Sequence, residues 1–164
     1  NEFLAIAPRA QALCSFIGAM VSVNDFGTRP ARGLQDGETV ALGKRRVRLI
    51  ATPQVPHGWD AAALFEETTR TLFCSDLFHQ DGDLEPMIES EGELLRRTRE
   101  TMVRYQSGPM ANYLAYGVNT PKLLAKLAES KPAVLAAMHG SAFRGDGAHA
   151  LGELAGVMRE VLGG

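Results

Sequence analysis

Three residues of this chain stand where they could work together on a metal ion. Asp76 ends the run Leu72-Phe73-Cys74-Ser75-Asp76, and apolar residues resume at Leu77-Phe78. A lone carboxylate in such a setting is costly to bury unless it is paired, hydrogen-bonded or metal-bound. His57 lies upstream in Thr52-Pro53-Gln54-Val55-Pro56-His57-Gly58-Trp59-Asp60, and His139 lies downstream in Ala136-Ala137-Met138-His139-Gly140-Ser141. Taken singly, each has a plainer reading. Ser75-Asp76 resembles a helix N-cap or a turn, and one histidine is more often a hydrogen-bonded or surface residue than a ligand. The recurrence favours the metal: all three follow an apolar, strand-like run, where a β-rich scaffold presents ligands at its rim. Two imidazoles and a carboxylate suit Zn, Fe or Mn.

The other polar clusters read as structural. His79 follows Asp76 by three residues and opens an acidic loop, and His149 reads as a solvated residue of the last helix. Asp81-x-Asp83-x-Glu85 lacks the twelve-residue spacing and flanking helices of a calcium-binding EF-hand, so a solvated loop is expected. The glycine-rich stretch Gly140 to Gly147 has neither the Lys-Ser/Thr of a P-loop nor a GxGxxG pattern. Lys44-Arg45-Arg46, with Arg48 just after, reads as a solvated hairpin tip.

At 164 residues, with 45% hydrophobic and 22% charged residues, the chain is ordinary single-domain globular material. A net charge of −2 argues against a nucleic-acid surface, which needs clustered Lys and Arg. Cys14 and Cys74, each among apolar residues and without CxxC spacing, are expected to be buried, reduced thiols. No apolar run approaches the roughly 18 residues of a membrane span. Together these features point to a cytoplasmic protein. The opening Asn1-Glu2-Phe3-Leu4 reads like the middle of a helix, so the sequence is expected to begin inside a larger domain.

The elements that must position the three residues follow from hydrophobic spacing. A helix end is predicted over 2–7, a short buried strand over 10–14, a weak helix over 15–23 and a loop over 24–36. Strands are predicted over 38–42 and 47–52, joined at 43–46, and a second pair over 62–66 and 71–74. Helices are predicted over 90–106, from Thr120-Pro121 to about 130, and over 146–162, with a buried strand over 132–138 between the last two. Strands followed by helices make a layered α/β or α+β domain.

In this order, Thr-Pro…His, a strand pair, Phe-Cys-Ser-Asp-Leu-Phe, helices, a strand and Met-His-Gly, the sequence resembles the second part of a metallo-β-lactamase-fold domain. It is most similar to the flavodiiron branch, which includes stand-alone oxygen-binding di-iron proteins. That resemblance implies an αββα sandwich, incomplete at the N-terminus, with residues 1–164 forming one partial domain. The first metal motif of the family, His-x-His/Glu-x-Asp-His-like, would precede Asn1, so about half the ligands are expected to come from elsewhere.

Within a complete domain the resemblance implies that Asp76 bridges two metals while His57 and His139 each bind one. With iron, the implied activity is binding or reduction of O2 or NO, fed by a flavin or rubredoxin-like donor. With zinc, it is hydrolysis of an ester, amide or thioester. The stretch alone is expected to bind metal weakly or not at all, which would leave an interaction module, and to form a homo-oligomer. Trp59, Phe78 and Phe143 are candidates for an apolar wall beside the metals, against the plainer reading that they are core.

Overall fold

Gly43 and Lys44 turn the chain between β3 (Thr39–Leu42) and β4 (Arg45–Ala51). Gly43 takes φ +63°, the left-handed conformation that two-residue hairpin loops demand. The tip is Gly43-Lys44 alone, shorter than expected, and Arg45 and Arg46 beside it are exposed, as expected. They belong to β4, and they pair with Glu66 at 3.1 Å and Glu67 at 3.2 Å. The computed structural model describes residues 1–163.

The ladder continues through β5 (Ala62–Glu66) and β6 (Thr71–Phe73), both antiparallel to their predecessors. It ends with β8 (Val134–Ala136), β9 (Ala142–Arg144) and β7 (Met87–Ile88), giving the order β3-β4-β5-β6-β8-β9-β7. β6 and β8 run parallel, as do β7 and β9. A separate parallel pair joins β1 (Leu13–Ser15) to β2 (Arg32–Leu34).

Three long helices follow the expected positions. Ser90 caps α4 (Glu91–Gln106) by accepting the Glu93 N–H at 3.2 Å, and Glu91 and Glu93 lie favourably in its first turn. Pro121, the second residue of α5 (Thr120–Ala128), lies in the first turn, where its missing N–H is not needed, and the N-cap is Asn119 where Thr120 was expected. Asp146 caps α6 (Gly147–Leu162) through the His149 N–H at 3.0 Å. Leu94 and Met102 of α4, Leu124 and Leu127 of α5, and Leu151, Leu154 and Met158 of α6 are buried at helical spacing. They pack on Ile50, Phe65, Leu72, Leu135 and Phe143 from one face of the sheet, in a single core.

The opposite sheet face is only partly covered. The N-terminal part comprises α1 (Glu2–Ile6), β1, β2 and a continuous helical stretch. That stretch runs from α2 (Phe16–Gly18) through a π-helical turn (Ala19–Val23) into α3 (Asn24–Phe26). Leu13, Val23 and Leu34 face Val47, Leu49, Ala62 and Leu64 across a cleft of about 360 Å3. The second sheet of the expected sandwich is thus represented, among the described residues, by two strands. Leu64 and Phe73, paired across β5 and β6, stay 40% and 50% exposed on this face.

Candidate metal centre

Strand direction brings the three residues together. β4 is antiparallel to β5, and β5 to β6, so β4 and β6 point the same way; β8 is parallel to β6. The C-terminal ends of β4, β6 and β8 therefore open at one edge of the sheet, and His57, Asp76 and His139 sit in the loops that follow them.

Hydrogen bonds within and between the loops hold them. After β4, the Thr52 hydroxyl donates to the Val55 carbonyl at 2.7 Å, and the Gln54 N–H donates to the Gly58 carbonyl at 2.8 Å. The β6 and β8 loops are stitched together. The Met138 N–H donates to the Ser75 carbonyl at 2.8 Å, and the Gln80 N–H to the His139 carbonyl at 3.0 Å. Two non-glycine residues near Asp76, Ser75 at φ +52° and Phe78 at φ +62°, occupy the left-handed region. Such conformations persist only where surrounding structure enforces them, and they cluster at functional sites.

The resulting geometry centres on one carboxylate. Asp76 is 7% exposed. His57 Nε2 lies 2.8 Å from its Oδ2, and His139 Nε2 lies 3.2 Å from its Oδ1. The Oδ1 atom is buried and has no hydrogen-bond partner, because the nearby imidazole is not aligned to provide one. Both imidazoles are half-exposed, so they reach the carboxylate from the solvent side. Asp76, His79 and His139 also offer one donor atom each within 4.8 Å of one another.

His79 is the residue the acidic-loop reading missed. It is 8% exposed and stacks on His139, with ring centroids 4.5 Å apart. Its Nε2 lies 3.2 Å from Asp81 Oδ1, and its Nδ1 lies 3.4 Å from the Tyr113 hydroxyl. Burial, then the neighbouring His139, pushes the His79 pKa below its ordinary value. Asp81 is not a solvated acid either. The Tyr105 hydroxyl donates to it at 2.7 Å, and Arg104 pairs with its other oxygen. Although burial opposes ionisation, those partners hold the Asp81 carboxyl below the usual carboxylate range.

The plainer reading holds for two of the three candidate wall aromatics. Phe78 and Phe143 lie in the core, and Trp59 is 61% exposed. Tyr113 packs against His57 at 5.3 Å between centroids and against His79 at 5.8 Å, and Tyr105 lies edge-on to His79 at 5.3 Å. Burial, and then the charge of Asp76, raises the Tyr113 phenol pKa. Tyr105 passes in sequence for an ordinary member of a helix stripe, and Tyr113 lies in the irregular segment after α4. No local signal marks either one. His79 had such a signal, since three residues is the spacing at which a tight turn returns a side chain to its starting point.

No family model matches the sequence, and no curated protein sequence does. Solved structures share the fold. Rubredoxin oxygen:oxidoreductase from Desulfovibrio gigas superposes with a TM-score of 0.68 at 21% identity, covering 94% of this chain and 39% of that one. The chemotaxis sensor ODP, solved as a peroxy diiron species, gives 0.68 at 19% identity, over 94% of this chain and 65% of that one. The flavodiiron protein from Giardia intestinalis gives 0.66 at 19% identity, over 90% and 36%. The chain has the mixed α/β, metallo-β-lactamase-like fold of flavodiiron proteins, and it spans between about a third and two thirds of the length of these structures.

Proposed function

We propose that this chain is the metal-binding portion of a di-iron protein that binds or reduces O2 or NO. The observation that carries this reading is the convergence of two imidazoles on the two oxygens of one buried carboxylate, one of them an otherwise unpartnered Oδ1. A carboxylate placed so can serve two metals, one through each oxygen. In this reading Asp76 bridges, His57 holds one iron and His139 the other. The fold supports the assignment, because the structures that share it are described as di-iron or oxygen-reducing proteins.

An iron pair would supply electrons to a diatomic ligand and polarise it between two positive centres. The chain's own residues do the rest. Burial leaves the Asp76 carboxylate poorly solvated, which strengthens its attraction for cations. The Ser75–Met138 and His139–Gln80 backbone bonds keep Asp76 and His139 in register. Tyr113, with its phenol held neutral well past pH 7, can present a proton donor between His57 and His79. Three protein donors leave two metals short of the four or more that stable sites use, so further ligands must complete both shells. A flavin or rubredoxin-like partner would supply electrons.

No helix among the described residues is long and apolar enough to cross a membrane. The two cysteines are free thiols, which fits a reducing cytoplasm. We also read the half-covered sheet face as the contact between two copies of the chain.

Elemental analysis of the full-length gene product, purified from iron-supplemented cells, tests the metal assignment. Iron in excess of zinc is expected, with Asp76→Asn and His139→Ala each abolishing it while the circular dichroism spectrum is retained. Zinc in the parent protein would overturn the iron reading. Retention of iron by both variants would overturn the site.

A further inference from the structure

We propose that His79 is a metal ligand, so that Asp76, His79 and His139 form a two-histidine, one-carboxylate site on this chain alone. The proposal rests on the metal reading above and adds a third protein donor to the ion that His139 holds. It makes the two metal positions unequal: this chain gives three donors to one and two to the other.

Three observations point the same way. The first is proximity: donor atoms of Asp76, His79 and His139 lie within 4.8 Å of one another. Donors on a single ion sit about 3–3.5 Å apart, so ring movements of about 1 Å close the set. His139 has the freedom to make them, since its side chain is half-exposed.

The second is how His79 is held. A ligating imidazole typically donates its far ring N–H to a carboxylate, which fixes its tautomer and orientation. Asp81 Oδ1 lies 3.2 Å from Nε2 of His79, and the Tyr105 hydroxyl and Arg104 hold Asp81 in turn. Nε2 therefore faces Asp81 and the Tyr105 hydroxyl, the latter at 3.4 Å, and Nδ1 lies on the side of Tyr113, the tyrosine whose phenol feels the Asp76 charge. Nδ1 is thus the ligand atom.

The third is the orphaned Asp76 Oδ1. A buried carboxylate oxygen without a hydrogen bond is costly, and a cation in contact with it removes that cost. Two imidazoles and a carboxylate with positions left open suit ferrous iron, where a small ligand can add.

The test uses the full chain, freed of metal, titrated anaerobically with Co2+ alone. One Co2+ per chain should bind at least tenfold more tightly than a second. His79→Gln should weaken the tighter event tenfold or more, and Asp81→Asn should weaken it less. Proton NMR of the unsubstituted Co2+ protein should show strongly shifted ring signals from His79 as well as from His139. A folded His79→Gln protein that binds like the parent, or a His79 ring with no such shift, overturns the proposal. If His79→Gln does not fold, the spectrum of the unsubstituted protein decides. If Asp76→Asn and His139→Ala also bind Co2+ like the parent, the whole metal reading fails. If they lose it while His79→Gln does not, only the added ligand fails.

Discussion

Gly140 lies so close to Gln80 that a Cβ on it would sit 2.6 Å from the Gln80 Cβ and 3.1 Å from the Gln80 carbonyl oxygen. It also takes φ +107°, which L-residues rarely adopt. Gln80 cannot yield easily. It is buried, and its side-chain amide donates to the Phe78 and Ser141 carbonyls at 3.1 and 3.2 Å. This contact joins the loop that carries Asp76 to the turn that carries His139.

Gly140→Ala should therefore damage the fold and the site together. The strained conformation and the clash should cost about 1–3 kcal/mol or more. Urea denaturation measures the loss, and a metal titration should show weakened binding under conditions where the variant remains folded. A variant as stable as the parent would mean that the turn relaxes freely and does not fix His139.

A second prediction concerns Glu66, whose side chain closes the β5–β6 turn. It accepts from the Thr69 hydroxyl and the Thr69 and Thr68 N–H groups, and it pairs with Arg45. These bonds, the Thr69 hydroxyl foremost, pull its pKa down to about 2. The unfolded state binds the proton first as pH falls, so this stabilisation is fully present above about pH 4.5 and disappears towards pH 2. Glu66→Gln should be less stable than the parent at pH 7, and the gap should narrow steadily below pH 4.5. A gap that does not depend on pH would show that the Glu66 charge plays no part.

Tyr113 should titrate late. Its phenol is raised chiefly by burial and then by Asp76, and that of Tyr105 chiefly by its bond to Asp81. The unfolded state loses these protons at about pH 10, before the native state does, so stability should fall as pH rises beyond that point. In the metal-free protein, absorbance at the tyrosinate band should show part of the tyrosine signal appearing only with unfolding. Tyr113→Phe should remove part of that delayed signal. A single unshifted titration of all the tyrosines would contradict the burial of Tyr113.

The parts of this molecule written locally were legible in its sequence. Ser90 before α4 and Asp146 before α6 supply cap chemistry, Pro121 marks the start of α5 although Thr120 does not cap it, and with apolar spacing the helices begin within a residue of where those signals fall. The strand before Asp76 and the one before His139 were visible as apolar runs. β9 was not, because three residues inside a glycine-rich stretch carry no readable period; its place is set by pairing with β8 and β7. β2 was likewise hidden in a Gly- and Pro-rich segment and is defined by its parallel partner β1. At the site, His57, Asp76 and His139 showed a shared strand-end context. Tyr105, Tyr113 and Asp81 reach it only through the packing of α4 and the loops, a long-range fact with no local trace.

The exposed sheet face leads to the last prediction. Leu64 and Phe73 are exposed on strands whose other faces are packed in the core. Leu64 and Phe73 are cross-strand partners, so they form one continuous apolar surface rather than scattered residues. Covering a few hundred Å2 of such surface gains on the order of 10 kcal/mol, at about 25 cal/mol per Å2, before the cost of association. That gain is large enough to pair two copies face to face through a two-fold axis, the commonest symmetry of homo-oligomers. Sedimentation at tens of micromolar should show a dimer, and Phe73→Glu, which places a charge at the centre of the contact, should give a monomer with unchanged circular dichroism. A well-folded monomer of the unsubstituted chain at that concentration would refute the pairing. A dimer that survives Phe73→Glu would place the contact on another surface.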